Sequence, residues 1–152
     1  MDFPAFHLDW LNDRFLIAMI AILHVLINHG LAVGFIPYIV WLEQKGVARS
    51  GKDRITDPEW DLMVYKKMKV AFIITTTIGA MTGVGIWFSA ALVSPASIGS
   101  LIRVFFWAWF IEWIVFVTEV VLILIYFLTW KNSNTSFKAK IRHIRFGWFL
   151  AV

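Results

Sequence analysis

The sequence has no cysteine among its 152 residues. That excludes disulfides, thiolate metal sites, iron–sulfur clusters and covalently attached c-type haem within the chain. Histidine and carboxylate are the ligands that remain. A secretory signal is also missing. The first residues bring Asp2, Asp9 and Asp13 where a signal would be basic, and no small-residue cleavage site follows a short apolar stretch. The first apolar run is therefore expected to be kept in the mature protein. No internal repeat and no low-complexity tract stands out. The stretch Ser94–Ser100 carries no charge.

What the sequence has in excess is apolar residues. They make up 60% of the chain, and the mean hydropathy is +0.74. They gather in long continuous runs, Arg14–Leu42, Val70–Val93 and Leu101–Trp130. Each is at least the roughly 20 residues that cross about 30 Å of hydrocarbon as a helix. The runs are continuous, not alternating, so helices are expected and barrel strands are not. A fourth run begins at about Phe146 and is still apolar at Val152, as in a fragment or a segment that leans on a partner. The expected fold is an all-α integral membrane bundle forming one domain. It has three full transmembrane helices plus the start of a fourth.

The net charge of +4 is distributed as in a membrane protein, not a nucleic-acid binder. Lys45, Arg49, Lys52, Arg54, Lys66, Lys67 and Lys69 flank the first connection, and Lys131, Lys138, Lys140, Arg142 and Arg145 follow the third run. Positive charge marks cytoplasmic loops. The N-terminus and the Ser94–Ser100 turn are thus expected outside. Residues 1–13, with Phe3, Phe6 and Trp10, read as an interfacial lead-in. The 43–69 segment reads as a cytoplasmic loop. Within it Thr56 or Asp57 caps a short amphipathic helix that has Pro58 at its first position and runs into the second span. Tyr38, Trp41, Trp60, Tyr65, Tyr126, Trp130 and Trp148 lie near span ends, where aromatic anchors sit.

Ionisable residues inside a span are costly and point to function. His24 and His29 lie in the first run and, in a regular helix, point about 140° apart. They would serve two neighbouring sites on one side of a bundle. Imidazole is the common axial ligand of b-type haem; the alternative is a histidine bonded to another helix. Glu112 and Glu119 are seven residues apart on one face of the third run. Together they can pass protons along a wet groove, ligate iron, or pair with Arg14 or Arg103. Those two arginines sit at outer helix ends, where they can snorkel or hold a haem propionate. Trp107, Trp109 and Trp113 either pack against a planar cofactor or act as ordinary packing. Gly79, Gly83 and Gly85 let another helix, or a flat porphyrin, come close.

Four motifs in order resemble the N-terminal part of subunit I of the cytochrome bd quinol oxidases, and bd-oxidase-like membrane proteins more widely. They are Arg14 with His24 ten residues on, the G-x-x-T-G-x-x-x-x-F pattern from Gly79 to Phe88, Glu119 with Trp130 eleven residues on, and Lys140-x-x-His143 followed by Trp148. The resemblance implies that His24 is an axial haem ligand near the outer face. It places Glu119 in a proton path or haem environment. The chain departs from the family at Trp87, where a Glu is usual, at His29, where the oxidases have Pro, and at Glu112, one residue beyond the family's position at Ile111. The 43–69 loop is also longer, and the family's quinol loop and remaining haem ligands lie beyond the matched region.

The expected function is that of a subunit of a respiratory complex in a prokaryotic inner membrane. It would bind one or two b-type haems through His24 and His29, with Arg14, Arg103 and Trp113 around the cofactor. It would move electrons between quinol or quinone and a redox partner protein, and protons by way of Glu112 and Glu119. Further helices or subunits are expected to shield its polar groups. The alternatives are a terminal oxidase subunit that reduces dioxygen, a haem-free proton or ion pathway of a transporter, and a cofactor-free assembly subunit.

Overall fold

A computed structural model describes residues 12–50 and 54–151, the side chain of Ala32 excepted. The expected lead-in over the first residues and Lys52 lie outside the described residues. Among the described residues every element is helical: α1 (Asp13–Asn28), α2 (Phe35–Arg49), α3 (Pro58–Ile74), α4 (Ala80–Val93), α5 (Pro95–Ser133) and α6 (Phe137–Leu150). Two π-turns, His29–Val33 and Thr75–Gly79, join α1 to α2 and α3 to α4. Three continuous helices result, Asp13–Arg49, Pro58–Val93 and Pro95–Ser133, each apolar and long enough to cross a membrane. At 1.5 Å per residue each is over 50 Å long, against about 30 Å of hydrocarbon. The surplus length lies mainly at the basic end of the bundle.

Local chemistry sets the ends. Asn12 caps α1 by accepting from the Arg14 amide at 2.9 Å. Asp57, not Thr56, caps α3: it accepts from the amides of Glu59 and Trp60 at 3.1 and 3.3 Å, with Pro58 at the first position. Thr56 instead packs over Gly46, where a Cβ would come within 2.9 Å of its Oγ1 and 2.8 Å of the Trp60 ring. The Trp60 indole donates to the Leu42 carbonyl at 2.8 Å. These contacts pin α2 to α3, and most of the 43–69 segment expected as a loop is helix. Ser136 caps α6 through the Ala139 amide. The fourth helix therefore starts well before its apolar run at Phe146. Its early turns are charged on one side and buried on the other.

The core sits at the basic end. Ile36, Ile39, Val40 and Leu42 of α2 pack with Val64 and Met68 of α3, Tyr126 and Trp130 of α5, and Ile144 of α6. Gly147 lets α6 close on this core: a Cβ there would lie 2.6 Å from Val40 and 2.8 Å from Tyr126. Tyr126 and Trp130 are wholly buried, so they are core residues and not the interfacial anchors expected. At the other end α1 packs closely on α4, and the glycines explain it. A Cβ on Gly79 would meet the Asn28 side chain at 2.5 Å, and one on Gly83 the His24 ring at 2.8 Å. Close helix packing is thus the role the structure gives these small residues. The first part of α5 leaves this pair, with a break in helical geometry at Phe105. Trp87 and Trp109 still bridge α4 to α5, edge to face at 4.2 Å.

Candidate functional site

Between the first span and α5 lies a groove of about 500 Å³. Its polar lining includes His24, His29, Glu112, Glu119, Asn28 and Thr76. Apolar side chains such as Met68, Phe72 and Phe116 complete the walls. The four titratable residues singled out in the sequence therefore face one space. Glu112 and Glu119 do so with Val115 and Phe116 between them, the i, i+3, i+4, i+7 pattern of one helix face.

Both π-turns border this groove. In the first, the Gly34 amide donates to the His29 carbonyl, five residues back, at 2.8 Å. Pro37 has no N–H to offer the Val33 carbonyl, which weakens the regular helix just there. In the second, the hydroxyls of Thr75, Thr76 and Thr77 donate to the carbonyls of Ala71, Phe72 and Ile73 at 2.6–2.7 Å. Such back-bonding competes with the helix and bends it. A π-turn rotates the residues before it relative to those after, and such turns are frequent at functional sites. The sequence reading of regular spans missed them; the run of three threonines and Pro37 were the available signals.

His24 is the most constrained of the four. Its Nδ1 lies 3.0 Å from the Gly79 carbonyl and 3.0 Å from the Thr82 hydroxyl. A carbonyl only accepts, so the proton belongs on Nδ1 and the lone pair on Nε2. The Asn28 amide nitrogen is 3.0 Å from Nδ1 and 2.9 Å from Nε2. With the proton on Nδ1, Nε2 is the ring nitrogen that can accept from this amide. This arrangement resembles that of metal-bound histidines, whose far nitrogen donates to a carbonyl. Nε2 of His24 is the nitrogen that could hold a metal, with the Asn28 amide displaced. His29 is exposed at the groove edge, and among the described residues its ring has no hydrogen-bond partner. Neither Glu112 nor Glu119 forms an ion pair among the described residues, and no group of three or more metal-ligating side chains occurs there.

Arg14, Arg103 and Trp113 stand apart. All three are exposed and none lines the groove. Trp113 stacks on Phe110 of its own helix, and neither arginine pairs with Glu112 or Glu119.

A second polar assembly was not anticipated. Glu43 of α2, Asp61 of α3, and Lys140 and His143 of α6 are buried together at the basic end, with Lys140 0% and Glu43 1% exposed. Lys140 Nζ lies 2.8 Å from both Glu43 Oε1 and Asp61 Oδ1. Tyr126 donates to Glu43 Oε2 at 2.6 Å. Trp130 Nε1 and Asn134 Nδ2 donate to Asp61 Oδ2 at 3.2 and 2.8 Å. His143 Nδ1 meets Glu43 Oε1 at 2.8 Å, and Nε2 meets the Tyr126 carbonyl at 2.9 Å. Both oxygens only accept, so only the protonated ring satisfies both contacts. In that state two carboxylates face two cations and the cluster is neutral. Lys140 and His143 are the pair of the K-x-x-H motif; their burial, and the acids they meet, were not foreseen. Comparison with models of protein families, with curated proteins and with solved structures found no match.

Proposed function

We propose that this chain is a haem-b-binding membrane subunit of a respiratory complex in a prokaryotic inner membrane, with its basic end in the cytoplasm. It transfers electrons between quinol or quinone and a partner redox protein. One observation carries the reading: His24 lines a largely apolar groove with Nδ1 fixed by the Gly79 carbonyl, so that Nε2, which the Asn28 amide meets at 2.9 Å, is the nitrogen that would ligate once that amide turns aside. Haem, when bound, supplies a one-electron couple. The residues supply the rest. Gly79 and Thr82 hold the His24 tautomer, Gly83 makes room for its ring, and His29 offers a second imidazole on the same groove. Oxidation of a quinol releases protons as well as electrons, and Glu112 and Glu119, without cationic partners among the described residues, are placed to receive them. Arg14, Arg103 and Trp113 have no part in this reading.

The test is a reduced-minus-oxidised visible spectrum of the purified complex beside a His24→Ala variant. The expected result is a b-type haem signal lost or sharply reduced in the variant. His29→Ala decides whether that residue ligates too. Oxygen consumption with quinol as donor separates a terminal oxidase from an electron carrier. A colourless protein overturns the haem reading. It would favour a second one, a haem-free proton or ion pathway, which Glu112, Glu119, His29 and Thr76 on one groove support. Proton flux in vesicles, lost in Glu119→Gln, is the measurement for that case.

A further inference from the structure

We propose that a cavity at the basic end binds the headgroup of an anionic glycerophospholipid, independently of the groove. The cavity has a volume of about 640 Å³ and lies between the 54–58 turn, the start of α3 and the end of α5. Its walls include Arg54, Thr56, Asp61, Tyr65, Lys131 and Asn134. Asp61, the cavity's acid, is already engaged: Lys140 holds one oxygen, and Trp130 and Asn134 hold the other. Arg54 and Lys131 are exposed, and neither pairs with a carboxylate among the described residues. Lys131 instead lies 5.9 Å from the centroid of the Tyr65 ring. Among the described residues the cavity thus presents two uncommitted cations and no uncommitted acid, which selects a ligand of net negative charge.

Net negative charge narrows the ligand: a zwitterionic headgroup lacks the charge two cations call for, whereas a phosphatidylglycerol headgroup carries it on a phosphate that Arg54 and Lys131 can meet. The setting favours a lipid over a soluble phosphate ester. The cavity sits at the end of a membrane-spanning helix, and Ile55, Leu62, Tyr65 and Trp130 give it an apolar and aromatic wall.

The experiment uses the full chain purified into nanodiscs that mix phosphatidylglycerol with phosphatidylcholine, with retained lipid counted by native mass spectrometry. Wild type is expected to retain phosphatidylglycerol selectively. Arg54→Gln with Lys131→Gln is expected to lower that preference about thirtyfold, the equivalent of about 1 kcal/mol for each cation near the site. Lys138→Gln with Arg142→Gln removes two exposed cations outside the cavity and is expected to leave the preference intact. A circular-dichroism melt checks that each variant is folded. Equal losses in both pairs would mean a general charge effect and would overturn the site, as would retention of both lipids alike. Displacement by glycerol phosphate or inorganic phosphate would overturn the lipid in favour of a soluble ester.

Discussion

At the scale of single residues, Lys140 is the cation on which two buried acids depend. It bridges Glu43 and Asp61, and its ammonium also lies 4.9 Å from the centroid of the Trp130 ring. Removing one partner of a buried pair leaves an uncompensated charge, which costs about 3–5 kcal/mol. Lys140→Met is therefore expected to lower the melting temperature in detergent severely. Adding Glu43→Gln and Asp61→Asn to it is expected to restore much of the loss, because neutral amides need no counter-charge. A Lys140→Met protein that melts like wild type would show that the acids are not buried and charged together. The sequence did hold a signal for this cluster. Ile36, Ile39, Val40 and Glu43 fall at i, i+3, i+4 and i+7, as do Lys140, His143, Ile144 and Gly147; Asp61, Val64 and Met68 follow the same stripe. Each buried face carries a charge near the basic end. Charges near span ends usually mark solvated loops, and that expectation concealed them. Their pairing is set by residues up to a hundred positions apart, which no single-helix pattern encodes.

At the scale of elements, the contact of α1 with α4 depends on side chains that are absent. His24 and Asn28 occupy the space that Cβ atoms on Gly83 and Gly79 would take. Gly83→Val places branched carbon against the His24 ring, and overpacking of this kind costs about 1–3 kcal/mol. The expected outcome is a lower melting temperature together with loss of the Nδ1 contact to Gly79. Nitrogen NMR of the labelled His24 ring would read that loss directly. An unchanged ring spectrum would show that α1 and α4 do not meet as described. Helix existence and spacing were legible here. Continuous apolar runs gave the three spans, Pro58 behind Asp57 gave the start of α3, and Gly79 with Gly83 gave a close-packed face. The π-turns were not legible from hydrophobic periodicity, which over so long a run is insensitive to one inserted residue; only Pro37 and the three threonines hinted at them. Their consequence is positional. Deleting one residue within His29–Val33 is expected to return that segment to α-helix and turn His24 by about 100° away from the groove. A b-type haem signal retained at full strength in that deletion would show that the turn does not set the position of His24.

At the scale of the whole molecule, the two ends of the bundle are built on different physics. The basic end buries Ile39, Val40, Val64 and Met68 almost completely and locks four helices through the buried cluster of Glu43, Asp61, Lys140 and His143. The groove above it is bordered by two π-turns and by acids without partners among the described residues. In lipid there is no hydrophobic gain from joining helices, so packing and polar contacts must hold them. The basic end has both; the first part of α5 has little of either. On the proposed proton route the apolar layer is expected to seal the groove from the basic face, so that protons reaching Glu112 or Glu119 would exchange with the opposite face. The absence of cysteine makes this directly measurable, since any introduced thiol is unique. Thr76→Cys, on the groove wall, is expected to react with a membrane-impermeant maleimide added opposite the basic loops and to resist the same reagent added on their side. Ile39→Cys, within the layer, is expected to resist from both sides until the protein is denatured. Labelling of the Thr76→Cys variant from the basic side would mean that the layer leaks, and the one-sided proton exchange would fall with it. No labelling from either side would mean that the groove holds no water, which would remove Glu112 and Glu119 from any proton route while leaving the haem-ligand role of His24 untouched.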